Sequence, residues 1–137
     1  MKIPEQQIWT DNFYNDIDKI LKEIVSKLAK EVPGIRFGYN SGLDFGFFGY
    51  RGASAYHNIK IVPNELRTTL HDIEVICHVG NEGKWIDIIP RGDYGGKRIK
   101  ESARIYVSKR DEYTKDELGK AKNSIFVKIL YYVERYY

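Results

Sequence analysis

Residues 35–51, IRFGYNSGLDFGFFGYR, place six aromatics and four glycines in a stretch that suits extended structure and little else. Ile35, Phe37 and Tyr39 alternate, so their side chains share one face of a strand. Asn40-Ser41-Gly42 reads as a three-residue turn, with Gly42 supplying the positive φ such a loop needs near its end. Leu43, Phe45 and Phe47 then resume the alternation. The pattern predicts a hairpin with Tyr39 opposite Leu43 and both apolar sets on one side. Gly38 and Gly46 would lie on the other side, leaving room for close approach.

The flanking segments predict what covers that sheet. Phe13, Ile17, Ile20, Leu21, Ile24 and Leu28 recur at helical spacing over residues 11–32, with Thr10 as N-cap and Pro33-Gly34 as stop. Asp18 to Lys22 and Glu23 to Lys27 are favourable i,i+4 pairs. Between the helices a β-meander is expected over 35–108. Its parts are a loop at Arg51–Ala55, a short strand at Ile59–Val62 and a helical turn at Asn64–Leu70. A second hairpin has Ile73, Val75, Cys77 and Val79 alternating, a turn at Gly80–Gly83 and a return through Lys84–Ile89. A Gly-rich basic loop at 90–100 and a last strand at Arg104–Ser108 complete it. Thr114 with Glu117 forms a capping box for a helix over 115–136. On that helix Leu118, Ala121, Ile125, Ile129, Tyr132 and Tyr136 make one stripe. Phe126, Leu130, Val133 and Tyr137 make a second. Together they cover roughly half the circumference at about 100° per residue. The expected fold is α+β: one domain spanning 1–137, with an antiparallel sheet of five or six strands packed against an N-terminal and a C-terminal helix.

Composition narrows the function classes. A chain of 137 residues with net charge +3 is mildly basic, a bias too small to establish an anionic partner. Its single cysteine, Cys77, excludes an internal disulfide and reads as a reducing compartment. MKIPEQQIWTDN has no apolar core of a secretory signal, and no run reaches bilayer-spanning length, so a cytoplasmic, non-membrane protein is expected. The Lys-, Ile-, Asn- and Tyr-rich usage fits an AT-rich bacterial or phage genome.

LDFGFFGY, residues 43–50, resembles the base-stacking octamer of RNA-recognition domains at Phe45, Gly46, Phe47 and Tyr50. It departs from that pattern where Leu43 replaces a basic residue and Asp44 a glycine, so Phe45 and Phe47 are expected in the core. Asp72, Glu74 and Asp87 with Lys84 resemble the acid-acid-lysine set of restriction-type nucleases, without its closing acid-x-lysine triplet. Cys77 and His78, as strand neighbours, point to opposite faces and cannot act together. His57 and His71 lack ligand spacing, and no metal or cofactor is expected. The candidate anion or nucleic-acid site is Arg91, Tyr94, Lys97, Arg98, Lys100 and Arg104, where glycines at 92, 95 and 96 could expose backbone N–H groups. The candidate interface, on which a homo-oligomer is expected, is Phe126, Leu130, Val133 and Tyr137.

Three readings follow in rank. The first is a non-enzymatic binding protein with a protein partner, of inhibitor, immunity or phage counter-defence type. The second is a nucleic-acid or nucleotide-binding module using the loop at 91–100, and the third is an enzyme. A chain that folds with one core-phase cysteine and no ligand cluster should keep its Tm in chelator and in reductant. A drop of several degrees in either would contradict that.

Overall fold

The computed structural model describes residues 12–44, 54–62, 70–80, 83–110 and 112–137. It contains helix α1 (Asn12–Glu31), strands β1 (Arg36–Asp44), β2 (Ser54–Val62), β3 (Leu70–Gly80), β4 (Gly83–Tyr94), β5 (Lys97–Arg98) and β6 (Ala103–Ser108), and helix α2 (Lys115–Tyr136). The sheet is antiparallel in the order β1-β2-β3-β4, and β4 then pairs with β6 along its first half and with β5 at its end. The α+β architecture with an N-terminal and a C-terminal helix is thus present.

The core follows from strand alternation. Val75 and Cys77 of β3 face Ile88 and Ile86 of β4, Ile73 faces Ile59 of β2, and Ile86 faces Ile105 of β6. Ile59, Ile73, Val75, Cys77, Ile86 and Ile88 are all fully buried, in one cluster with the α1 stripe and with Ala121, Ile125, Ile129, Tyr132, Val133 and Tyr136 of α2. Helix α1 packs on β1 and β2, and α2 on β6, β4 and β3, so both cover the same face. Thr114 caps α2: its hydroxyl accepts from the Glu117 N–H at 3.1 Å, and the Glu117 carboxylate accepts from the Thr114 N–H at 2.9 Å. The helices are tied across their flank, where Lys122 of α2 meets Glu23 of α1 and Lys27 lies over the Phe126 ring at 4.3 Å. Asp18 pairs with Lys22 at 3.0 Å as the spacing predicts, whereas Glu23 and Lys27 turn to the other helix.

Three local expectations are corrected. Asn40-Ser41-Gly42 is no turn: β1 runs straight through it, pairing Asn40, Ser41 and Gly42 with Asn58, His57 and Tyr56. A nine-residue partner in β2 satisfies the whole strand, which a three-residue turn at Asn40–Gly42 would have cut short. The alternation of Ile35, Phe37 and Tyr39 toward the core survives the change. Ser54 and Ala55, expected in a loop, begin β2. The expected loop at 90–100 is mostly ladder, because β4 continues to Tyr94 and Gly95-Gly96 closes a two-residue turn onto Lys97. Their φ values of +63° and +81° suit the mirror-image turns that hairpins favour. Phe45, Gly46, Phe47 and Tyr50, with the Thr10 cap and most of Asn64–Leu70, lie outside the described residues.

Gly83 opens β4 at φ +115°, where an added Cβ would fall 2.1 Å from the Ser108 carbonyl oxygen and 2.6 Å from Lys109 Cα. Gly83→Ala should therefore destabilise the chain by at least about 2 kcal/mol in denaturant unfolding. At Gly38 a Cβ meets only Lys60 Cβ, at 3.7 Å, and Gly38→Ala should leave the midpoint close to wild type. Equal effects at the two positions would refute this account.

Candidate interaction surface

The face of the sheet opposite the helices displays the even residues of β3 and β6 and the odd ones of β4. Among the described residues no element packs over it. His78 and Trp85 are direct cross-strand partners, and their rings stack with centroids 5.4 Å apart and planes at 14°. Tyr106 of β6 stands beside Trp85 on the other side, at 5.6 Å and 44°. Arg104 spreads over the indole, its guanidinium carbon 5.1 Å from the ring, while Nε and Nη2 donate to Asp87 at 3.0 and 3.4 Å. His78 Nε2 lies 2.9 Å from Asp87 Oδ2, the oxygen that also accepts from Arg104 Nη2. Burial lowers the His78 pKa, the Asp87 charge opposes that, and Arg104 adds to the lowering. The backbone makes room for the stack: a Cβ on Gly80 would come within 3.2 Å of the Trp85 ring. Half-buried Ile76 and Ile89 extend the apolar part of this face.

Two arginines on the same face are paired within the chain. Arg91 grips Asp72 through Nε at 2.7 Å and Nη2 at 3.3 Å, and Asn58 Nδ2 donates to the same carboxylate at 3.1 Å. Two of the predicted anion ligands, Arg91 and Arg104, are thus engaged with carboxylates on β3 and β4. Lys97, Arg98 and Lys100 stand exposed on and just after β5. Tyr94, 48% exposed, turns its ring edge-on to Tyr136 of α2 at 5.1 Å. The structure therefore divides the predicted group between a paired sheet face and an exposed hairpin.

The acid-acid-lysine set does not converge. Asp72, Glu74 and Asp87 lie on the open face, whereas Lys84 lies on the helix side, 9% exposed, with Nζ 5.9 Å from the Tyr113 ring. Cys77 is buried on the helix side, and burial pushes its thiol pKa well up. On α2, Val133 is fully buried within the chain, Phe126 and Leu130 pack partly against the core, and Tyr137 is 37% exposed.

A polar relay unforeseen from spacing joins α1 to the sheet edge. Tyr39 of β1 lies opposite Ile59, two residue pairs from the Ser41–His57 pair and on the same face. Its hydroxyl donates to Asp18 Oδ1 at 2.7 Å and sits 2.6 Å from His57 Nδ1. Ser41 Oγ donates to the same Asp18 oxygen at 3.0 Å and accepts from the Tyr14 hydroxyl at 2.9 Å. Tyr39 has one proton and gives it to the carboxylate, so the network assigns the His57 proton to Nδ1. Nε2 is then a bare acceptor, buried without a hydrogen-bond partner among the described residues. Burial works to raise the Asp18 pKa, but hydrogen bonds from Tyr39, Lys22 and Ser41 outweigh it and hold it low. Burial lowers the His57 pKa to about 4 against the pull of Asp18, and burial followed by Asp18 raises that of Tyr39. The only sequence signals were Tyr39 at a core phase and an acid on the flank of an amphipathic helix.

Compared with protein-family models, curated proteins and solved structures, the chain matches none.

The relay carries a pH dependence of stability. His57 titrates near 6.5 unfolded and near 4 folded, so between those values the unfolded chain binds the extra proton. Stability should be flat above about pH 6.5 and fall as pH drops toward 4, by about 3 kcal/mol. Denaturant unfolding of wild type and His57→Phe across this range checks it: the difference between the two curves should carry that slope. Parallel curves would remove His57 as its source.

Proposed function

We propose that this chain is a non-enzymatic binding protein that acts on a protein partner, as an inhibitor, immunity or counter-defence factor does, and that the open sheet face is its contact surface. The observation that carries the reading is the cluster of Trp85, Tyr106, Arg104 and His78 on a face that no described element covers. Tryptophan, tyrosine and arginine dominate binding energy at protein interfaces because they bury large area on few rotatable bonds. Neutralised charge supports the same choice. Asp72–Arg91 and Asp87–Arg104 tie up the arginines of β4 and β6 on this face, where a phosphate backbone, whose affinity depends on free cations, would need them. They suit a surface whose centre must be desolvated by a partner. Lys84 and Cys77, turned to the helix side, add no chemistry to this face.

A second reading rests on the β4–β5 hairpin, where Lys97, Arg98 and Lys100 are exposed beside Tyr94. Cations of this kind with an aromatic neighbour suit single-stranded nucleic acid.

Capture of a partner from the native host, with nuclease present, separates the two. Truncating an interface anchor costs about 2 kcal/mol or more, so Trp85→Ala and Tyr106→Ala should each weaken binding roughly thirtyfold, with the folded signal retained. Lys97→Glu with Arg98→Glu should leave it within about twofold. Loss of the partner on nuclease treatment, or a steep fall in binding between about 50 and 200 mM salt, would transfer the assignment to the hairpin.

A further inference from the structure

On the helix side, away from the open sheet face, α1 and α2 enclose a cleft of about 540 Å³. Its apolar part is the half-buried Phe126 of α2, with Ile24 of α1, only 1% exposed, at its floor. Around them stand Lys27, Lys115, Lys120 and Lys122, four lysines against the two carboxylates Glu23 and Asp116. Each carboxylate is already engaged by one lysine, Glu23 by Lys122 and Asp116 by Lys120 at 3.4 Å. The cleft therefore keeps an excess of positive charge, and Lys27 carries part of it directly over the apolar part, its Nζ 4.3 Å from the Phe126 ring centroid.

Gly119 is the second feature. It sits in the second turn of a 22-residue helix and lines the cleft, and a Cβ placed on it would meet nothing within 4 Å. Packing does not demand a glycine there, and glycine weakens a helix relative to almost any other residue. What its missing side chain does is leave the wall of the cleft open.

We propose that this cleft docks a short acidic segment of a protein partner, with one apolar side chain seated against Phe126 and flanking carboxylates meeting Lys27 and Lys115. The volume lies within the range of about 300–1,000 Å³ typical of ligand pockets, which suits a few residues and not a long helix. An apolar seat ringed by lysines favours a peptide over a phosphate polymer, which offers repeated charge and no apolar anchor. The inference is independent of the sheet-face reading, because the two surfaces share no residue.

The test is a 15N titration of the full chain with the peptide Ac-Glu-Asp-Phe-Asp-Glu-NH2. Saturable shifts should centre on the amides of Lys115, Gly119 and Lys120. Ac-Gln-Asn-Phe-Asn-Gln-NH2 and Ac-Glu-Asp-Gly-Asp-Glu-NH2 should each bind at least about tenfold more weakly. Gly119→Leu fills the cleft with a better helix former, so it should raise Tm by a few degrees while abolishing the shifts. Absence of saturable shifts, equal binding of either control peptide, or wild-type affinity in Gly119→Leu would overturn the proposal. Tighter binding of polyphosphate than of the acidic peptide would overturn it too, in favour of a phosphate-bearing ligand.

Discussion

Val75 and Cys77 lie against Ile88 and Ile86 in the middle of the sheet, and this β3–β4 ladder is the longest pairing in the molecule. Every other element takes its side from it. Because alternate residues of a strand point oppositely, setting Ile73, Val75 and Cys77 toward one layer sends Asp72, Glu74, Ile76 and His78 to the other. Both helices have an apolar stripe to bury, and only one face of the ladder is apolar along most of its length, so both go there. The second face is left to polar and aromatic groups, and its ion pairs and stacked rings follow from having no helix to meet.

The same constraint sorts what could be read from the sequence. The two helices, the capping box, the second hairpin, the last strand and the buried Cys77 were legible, because each is marked by short-range periodicity or by a cap. The turn at Asn40–Gly42 was misread because Gly42 is compatible with a turn but does not require one. Its fate was decided by β2, more than ten residues away. The Gly-rich stretch near 95 departs in the opposite direction: two adjacent glycines suit a loose loop by composition, and they make a two-residue hairpin turn instead.

The candidate interaction residues are less legible than the fold. Arg91 and Arg104 were visible as charge but not as paired charge, since their carboxylates, Asp72 and Asp87, stand on β3 and β4, and only the register places them together. Trp85 and Tyr106 drew no notice in the sequence, being separated by 21 residues and unremarkable in isolation. Cross-strand neighbours i and j bear no fixed relation in number, so sheet surfaces hide from spacing arguments that find helix faces easily. The cleft residues posed the same difficulty across two helices at opposite ends of the chain.

The charge distribution differs between the two sides of the fold. On the sheet face, Arg91 and Arg104 are committed to carboxylates and Arg104 lies over an aromatic ring, which leaves the part of the surface around Trp85 polar at its atoms yet locally compensated in charge. Such a surface loses little by being desolvated against another protein, because its charges already have their partners. On the helix side, lysine outnumbers carboxylate around an apolar patch, and the flexible stems let the excess charge meet whatever anion arrives. Committed arginine suits a fixed, shape-matched contact, whereas surplus lysine suits a ligand recognised by sign and by one apolar anchor. The chain thus presents two chemically different surfaces on opposite sides of a core that neither of them disturbs.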